Sequence, residues 1–460
     1  MTHLSKLPPG KAVNMKKLLG KLSIIMMTVV SLAVGADNPP NIVLVVADDL
    51  GVGDIGAFGS ERIKTPHLDL IAADGMVLSD FYASANICSP SRAGILTGRY
   101  PIRSGMAWDV VTAGDTHGLP LNEMTIAEML QTGGYSTAMV GKWHLGNQFE
   151  FWPTRQGFDS FYGVPHSNDM PNFALYRGEQ KIEQPVAQAT LTRRYTEEAV
   201  QFIEANSTRP FFLYMAHTFP HIPLFASKEF VGKSDAGLYG DAVEEIDWST
   251  GQIVKALQKL GLYDNTLILF TSDNGAWWEG SNGSSRGAKG STWDAGYRVG
   301  LVASWPNVIP PGRRSDALSV NIDLLPTIAD ATNSELSADQ NIDGRSLLPL
   351  LTDNTDDQSP HRYFYYFNNE EIAGIRDERW KLLTRAYYRR HLGALDKFAQ
   401  LPEFDGAYWL LFDLDDDRSE RYSMAREYPE VVRRLSEEMT RAEKMFRQTA
   451  TRDRQTTYPP

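Results

Sequence analysis

The chain has 460 residues, 42% of them hydrophobic and 22% charged, with one cysteine and a formal net charge of -12. This is the make-up of a folded protein with a sizeable core, one large domain or one with a small satellite, and it excludes disordered, collagen-like and disulfide-scaffold chains. The acidic balance argues against nucleic acid or an anionic membrane as partner, since both repel a negative surface.

The first 36 residues read as a leader. Lys16, Lys17 and Lys21 precede an apolar run from Leu22 to Val34, and small residues close the segment at Val34-Gly35-Ala36. A basic region, a short apolar region and a small-residue cleavage site make a signal peptide, and the run is short for a membrane span. An uncleaved anchor is the alternative. Residues 1–14 carry none of this character, so a start at Met15 fits the pattern. The expectation is an exported protein, periplasmic or secreted, without stable membrane insertion. Residues 1–36 hold five lysines and no acid, so the rest has 57 acidic against 40 basic side chains, near -17. An anionic substrate would then need a local cationic patch. Export also sharpens the cysteine question, because exported proteins use cysteines in pairs. A lone Cys88 is either buried and inert or chemically used.

The elements follow in chain order. Asn41 to Ala47 is a continuous β-branched and apolar run, as expected of a fully buried strand, and it empties into Asp48-Asp49. Thr125 to Thr132 and Arg193 to Ala205 read as helices. Phe211 to Met215 is a second buried strand, followed by His217 and His221. Tyr239 to Leu260 spaces its apolar residues as an amphipathic helix does, and Thr266 to Ser272 is a third buried strand that empties into Asp273-Asn274-Gly275. Buried strands emptying into polar residues suit an α/β sheet that binds ligand at its carboxyl edge. This pattern holds to about residue 350. The polar, turn-rich stretch Thr352 to Pro360 is a candidate linker, dividing a catalytic domain of residues 37–355 from a C-terminal subdomain of residues 356–460. Within the latter, Arg362 to Phe367, Ile372 to Leu383 and Trp409 to Leu414 read as strands, and Tyr428 to Phe446 as a closing helix.

Three strings carry the chemistry. Cys88-Ser89-Pro90-Ser91-Arg92 runs on to Leu96-Thr97-Gly98-Arg99. Gly141-Lys142-Trp143-His144-Leu145-Gly146 follows Gly134-Tyr135, and Gly287-Ala288-Lys289-Gly290 precedes Thr292 and Gly296. Taken singly, Asp48-Asp49 is a solvated loop, Asp273-Asn274-Gly275 a turn, Lys142 an exposed lysine and His144 a core histidine. Taken together, in this order, they resemble the formylglycine-dependent (type I) sulfatase family, with members such as arylsulfatase A and N-acetylgalactosamine-6-sulfatase. The likeness runs from about Asn41 to the mid-430s. Those relatives carry additional cysteines, so their disulfides do not transfer to this chain.

The resemblance implies an α/β fold like that of alkaline phosphatase. A large mixed sheet is sandwiched by helices, and a small C-terminal α+β subdomain has a four-stranded antiparallel sheet and a helix. It implies that a formylglycine-generating enzyme oxidises Cys88 to an aldehyde whose hydrate attacks sulfur and whose second hydroxyl then collapses the adduct. It implies one Ca²⁺ held by Asp48, Asp49, Asp273 and Asn274 together with residue 88. Mg²⁺ is the alternative, but an oxygen-rich set favours the larger ion. By the same resemblance Lys142 neutralises sulfate oxygens, His144 hydrogen-bonds the formylglycine at residue 88 and serves as base, His221 protonates the departing alcohol and Lys289 holds a sulfate oxygen. Arg92 pins residue 88 and offsets the acidic cage. His217 competes with His221; the His-x-Pro spacing favours His221. Ser167 stands where some relatives bind sulfate, and a plain loop serine is the alternative.

Trp108, Trp277, Trp278 and Arg286 follow these motifs in loops. Trp faces stack on sugar rings and Arg binds carboxylate or sulfate, although ordinary loop packing explains the same residues. The expected substrate is a sulfated carbohydrate released from polysaccharide, with broad arylsulfatase activity as the alternative. A phosphatase or phosphonate hydrolase needs more carboxylate and His ligands for two transition metals. A non-catalytic glycan-binding scaffold would be expected to lack one of Cys88, Lys142, His144 and His221, and all four are present.

Overall fold

The computed structural model describes residues 39–353, 357–386 and 409–449. The leader expected at residues 1–36 lies outside the described residues, as do residues 354–356 of the candidate linker. The described residues fall in one compact unit.

The strands, in order, are β1 (Asn41–Ala47), β2 (Met76–Leu78), β3 (Phe81–Tyr82), β4 (Ser136–Lys142), β5 (Ser160–Val164), β6 (Leu175–Arg177), β7 (Gln180–Glu183), β8 (Phe211–Ala216), β9 (Thr266–Ser272), β10 (Leu301–Ser304), β11 (Arg313–Ser315), β12 (Ser319–Val320), β13 (Phe364–Asn368), β14 (Glu371–Arg376), β15 (Trp380–Leu383) and β16 (Leu410–Asp413). The helices are α1 (Pro66–Ala73), α2 (Cys88–Thr97), α3 (Pro101–Ser104), α4 (Ile126–Thr132), α5 (Leu191–Ala205), α6 (Gly237–Lys259), α7 (Leu324–Thr332), α8 (Leu348–Thr352) and α9 (Pro429–Thr449). Ten strands form one mixed sheet in the order β11-β2-β10-β9-β1-β8-β4-β5-β6-β7. Its centre, β9-β1-β8-β4-β5, is parallel. β3 and β12 make a separate short pair.

The alternation of β1 shows how the sheet is clad. Ile42, Leu44 and Val46 pack in one core with residues of α2, α4 and α7, such as Ile95, Leu130 and Ile328. Val43, Val45 and Ala47 pack in a second core with α1, α5 and α6, through Ile71, Tyr195, Val243 and Ile253. A strand covered on both faces has no polar position to spare, which is why β1 and β9 read as unbroken apolar runs. α4 starts on a capping box, Thr125 Oγ1 accepting from Glu128 N–H at 3.1 Å and the Glu128 carboxylate from Thr125 N–H at 2.8 Å.

β13 to β16 form a separate four-stranded antiparallel sheet, backed by Leu435, Met439, Ala442 and Phe446 of α9. This sheet shares a core with Tyr82, Tyr100 and Tyr297 of the preceding chain. The segment expected as one strand from Ile372 to Leu383 is instead the hairpin β14–β15, with Arg376 opposite Lys381. Asp377 makes the turn: its Oδ1 accepts from Arg379 N–H at 3.0 Å and from Trp380 N–H at 2.7 Å. Among the described residues no helix is long and apolar enough to cross a membrane.

Candidate active site

The site is built at the carboxyl edge of the parallel strands. The β1–β9 register sets Ala47 beside Ser272, so Asp48-Asp49 and Asp273-Asn274 leave the sheet side by side. Asp273 N–H donates to the Ala47 carbonyl at 3.1 Å, and Asp48 N–H to the Phe219 carbonyl at 3.1 Å. Asp49 has φ 65, a left-handed conformation uncommon outside glycine that Asp and Asn adopt more readily than most residues. It turns the carboxylate back toward Asp273, whose Oδ1 accepts Asp49 N–H at 3.2 Å.

Cys88 is the first residue of α2, after the extended Ile87. Four residues on, Arg92 lies on the same face of the helix. Arg92 donates to Asp273 Oδ2 through Nε at 2.9 Å and to the Lys142 carbonyl through Nη1 at 2.8 Å, and its Nη2 pairs in charge with the same Asp273 oxygen at 2.9 Å. It also stands 3.4 Å from Asp48 Oδ1. These contacts fall on the carboxylates and the Lys142 carbonyl rather than on Cys88.

Lys142 is the last residue of β4. Gly141 before it has φ 112, and a Cβ there would fall 1.8 Å from the Ala216 carbonyl oxygen, so glycine is required where the strand delivers Lys142 to the site. Lys142 Nζ donates to Asp48 Oδ2 at 2.5 Å and to Ser167 Oγ at 3.3 Å. Ser167 in turn is 3.5 Å from His221 Nδ1. Lys289 Nζ reaches Asp49 Oδ1 at 2.7 Å and Cys88 Sγ at 3.1 Å. Cys88 Sγ lies 3.5 Å from Asp48 Oδ1 and 3.8 Å from Asp49 Oδ1.

Ligand atoms of Asp48, Asp49, Cys88 and Asp273 all fall within 4.8 Å of one another, as do those of Asp49, Cys88 and His221. Asn274 adds an Oδ1 that is buried without a hydrogen-bond partner, while its Nδ2 donates to Asp49 Oδ1 at 2.8 Å. Converging carboxylates and an unmatched amide oxygen suit a hard divalent cation. The charges say the same. Burial alone would push Asp48 up, but Lys142, His221, Arg92 and Lys289 hold it well below the usual carboxylate range. Burial and then the nearby Asp48 and Asp49 push Asp273 up to about 6 against the pull of Arg92. Burial pushes the Cys88 thiol up, despite Lys142 and Lys289. Three carboxylates face three cations here, so a bound divalent ion would leave the site net positive inside an acidic protein.

Both histidine candidates that follow β8 can now be placed. His221 Nδ1 is 2.5 Å from its neighbour Ile222's carbonyl, which leaves Nε2 facing the site, 3.7 Å from Asp49 Oδ2. His217 belongs to neither cluster; both its ring nitrogens are buried without partners, and burial pushes it down to about 3. His144, with φ 63, is also buried with both nitrogens unpartnered, and burial followed by Lys142 holds it well below its ordinary value. The expected hydrogen bond from His144 to residue 88 is not formed by the cysteine. Trp277 follows Ala276, whose carbonyl accepts Lys289 N–H at 2.9 Å, and is half-buried, while Trp278 is 65% exposed. Trp108, also half-buried, lies on the segment whose Val111 N–H donates to Ser89 Oγ at 2.9 Å. Arg286 stacks on Trp293, 3.7 Å from the ring centroid, and donates to the Glu420 carbonyl at 2.8 Å.

Some supporting residues escape sequence reasoning. Ser91 Oγ donates to the Asp273 carbonyl and accepts from Asn321 Nδ2 at 2.8 Å. Ser272 Oγ accepts Leu50 N–H at 2.9 Å and donates to the Asn274 carbonyl at 2.8 Å. Ser91 sits inside the cysteine motif and could have been noted there. Nothing local marks Asn321, 230 residues away in sequence.

Known proteins resemble this chain in sequence and in fold. The sulfatase family profile matches residues 40–334, and a profile for the C-terminal part of N-sulphoglucosamine sulphohydrolase matches residues 288–445. Human steryl-sulfatase is 36% identical over 433 residues, covering 74% of this chain and 74% of its own length. Mouse N-acetylgalactosamine-6-sulfatase is 37% identical over 419 residues, covering 84% of this chain and 78% of its own. Among solved structures, Ps i-CgsB in complex with k-i-k-neocarrahexaose superposes with a TM-score of 0.77 at 30% identity, over 88% of this chain and 93% of that one. The PsFucS1 sulfatase from Pseudoalteromonas sp. gives 0.80 at 26% identity, over 90% and 91%. A phosphonate monoester hydrolase from Silicibacter pomeroyi, at 0.64 and 20% identity over 88% of this chain and 95% of that one, shares the fold.

Proposed function

Because this chain belongs to the sulfatase family and is a sulfuric ester hydrolase, we propose that it is an exported enzyme that removes O-sulfate from sulfated sugars, using a formylglycine made from Cys88 by a formylglycine-generating enzyme and one Ca²⁺. The observation that carries this reading is the meeting, around one buried cysteine sulfur, of three carboxylates, an unpartnered amide oxygen and three cations.

Asp48, Asp49, Asp273 and Asn274 would hold the ion, which supplies positive charge against the anionic ester. The formylglycine would supply, as its hydrate, an oxygen nucleophile for sulfur. The remaining work belongs to the chain itself. Lys142, paired with Asp48, and Lys289, paired with Asp49, hold the sulfate oxygens as point charges, with Ser167 Oγ as a neutral donor beside Lys142. Arg92 fixes Asp273 and Asp48 in place. His221 gives a proton from Nε2 to the departing oxygen, its ring held by the Nδ1 contact with the Ile222 carbonyl. Burial and then Lys289 lower the proton affinity of His221, and the negative charge of a bound sulfate works in the opposite direction. His144, buried with both ring nitrogens unpartnered, would take up a proton from residue 88.

The loss of His221 separates these roles. His221→Ala should lower kcat by about 10²- to 10⁴-fold on a sugar sulfate, whose alkoxide needs a proton. On 4-nitrophenyl sulfate, whose leaving group departs as an anion, the loss should stay within about tenfold. Equal losses on both esters would remove His221 from the proton-donor role.

The sugar assignment draws on relatives whose names include N-acetylgalactosamine-6-sulfatase and on the solved complex with a neocarrahexaose. Trp108 and Trp277 border the site and offer faces for a sugar ring. The similarity to steryl-sulfatase favours a second reading, a broad sulfatase of aryl or steryl esters. A panel of sulfated oligosaccharides, 4-nitrophenyl sulfate, a steryl sulfate and 4-nitrophenyl phosphate decides between them. The sugar sulfates should give the highest kcat/KM, and sulfate should exceed phosphate by about 10²-fold or more at the same leaving group. Turnover confined to aryl or steryl esters would overturn the sugar assignment.

A further inference from the structure

Lys289 sits in the middle of a loop whose two flanks are held by Glu420, in the segment that follows β16, and by Lys381 of β15 and Tyr366 of β13. Its own backbone is tied to the catalytic side, with Lys289 N–H donating to the Ala276 carbonyl at 2.9 Å and Gly290 N–H to the Asn86 carbonyl at 2.8 Å. The flanks point the other way. On the amino side, Arg286 donates to the Glu420 carbonyl at 2.8 Å. On the carboxyl side, Asp294 N–H donates to Glu420 Oε2 at 2.8 Å, and Lys381 Nζ donates to the Thr292 carbonyl at 3.3 Å. Glu420 and Lys381 pair with each other at 2.5 Å, and both side chains are wholly buried. Tyr366 of β13 donates to Asp294 Oδ1 at 2.7 Å, and Lys381 Nζ lies 3.9 Å over the Tyr366 ring.

We infer that Lys381 and Glu420 are positioning residues for Lys289, and that the C-terminal sheet thereby sets the geometry of the sulfate-binding site. A buried ion pair is a poor source of stability, because desolvating two charges offsets their attraction. This pair does something an apolar pair of equal volume could not do. It satisfies a backbone N–H at residue 294 and a backbone carbonyl at residue 292, both in the loop that aims Lys289. The loop has no regular structure of its own between Arg286 and the short helical turn at Asp294–Gly296, so its course depends on such anchors. A displacement of about 1 Å at a charged group that binds the reacting anion is enough to cost about 10²-fold in rate.

The inference rests on the reading of Lys289 as a sulfate-binding side chain, and a double-mutant cycle tests the two separately. Turnover of 4-nitrophenyl sulfate is measured for the full chain, Glu420→Ala, Lys289→Ala and the double variant, with thermal midpoints recorded for each. Glu420→Ala should lower kcat/KM by about 10- to 100-fold in the native background. In the Lys289→Ala background the same change should cost less than about threefold, because the side chain it positions is already gone. Glu420→Gln, which keeps an acceptor for Asp294 N–H, should recover most of the loss. If Glu420→Ala does not fold, Lys381→Met takes its place in the same cycle. Equal fold-losses in both backgrounds would mark a merely structural pair and overturn the inference while leaving Lys289 in its role. An active Lys289→Ala would overturn the reading of Lys289 and the inference with it.

Discussion

Cys88→Ala is expected to lower kcat/KM by about 10⁴-fold or more on every sulfate ester, with the fold intact. The side chain is 1% exposed and sits at the first residue of a fully buried helix, so nothing else takes its place. Alanine keeps the helix start and removes only the sulfur. Arg92, Asp48 and Asp273 retain their bonds to one another, so the thermal midpoint should move by no more than a few degrees. Cys88→Ser should be equally inactive, because a serine hydroxyl is not an aldehyde hydrate even though it occupies the same place. A peptide mass spectrum across residue 88 supplies the independent readout: the active protein should carry an aldehyde there and the unconverted fraction a thiol, with activity tracking the aldehyde fraction. Full activity from protein whose residue 88 is entirely thiol would dispose of the mechanism.

Much of this site can be read along the chain because its parts sit at strand ends. The apolar runs before Asp48 and Asp273 announce buried strands, and polar residues directly after a buried strand point to the edge where α/β sheets bind. What a linear reading lacks is register. That Ala47 pairs with Ser272, setting the two acidic pairs beside each other, is a property of the parallel β1–β9 ladder. The orientation of His221 depends on the backbone that holds it, and its preference over His217 came from His-x-Pro spacing rather than from any visible difference in chemistry. The hairpin of β14 and β15 was legible only through Asp377, a single turn-forming side chain in an otherwise strand-like stretch. Least legible is the anchoring of the Lys289 loop. Asp294, Tyr366, Lys381 and Glu420 are scattered over more than a hundred residues, and each alone looks like a surface charge or a core tyrosine. Only packing two sheets against one loop turns them into a network.

Removing the divalent ion is expected to abolish turnover, and adding Ca²⁺ is expected to restore it. The donor set consists of carboxylate and amide oxygens with one cysteine-derived position, which suits a hard cation and favours Ca²⁺ over the smaller, more rigidly octahedral Mg²⁺. Without a cation the site has as many carboxylates as lysines and arginines. Lys142 and Lys289 then answer the charges of Asp48 and Asp49 rather than those of a substrate. A bound ion would take over the charge of the carboxylates, which would leave both lysines for sulfate. Three readouts should move together on treatment with a chelator and return with Ca²⁺: metal content falling from one ion per chain, kcat/KM falling by about 10³-fold or more, and the thermal midpoint dropping because the ion binds only the folded state. Asn274→Ala gives the graded version. It removes the unpartnered oxygen but leaves the bonds of Arg92 to Asp48 and Asp273 in place, so it should raise the Ca²⁺ concentration for half-maximal activity by about 10- to 100-fold while the saturated enzyme keeps most of its rate. Undiminished turnover by protein shown by elemental analysis to hold no divalent ion would mean that the lysines and arginine alone carry the charge of the reaction, and that the four oxygen donors serve only to hold them.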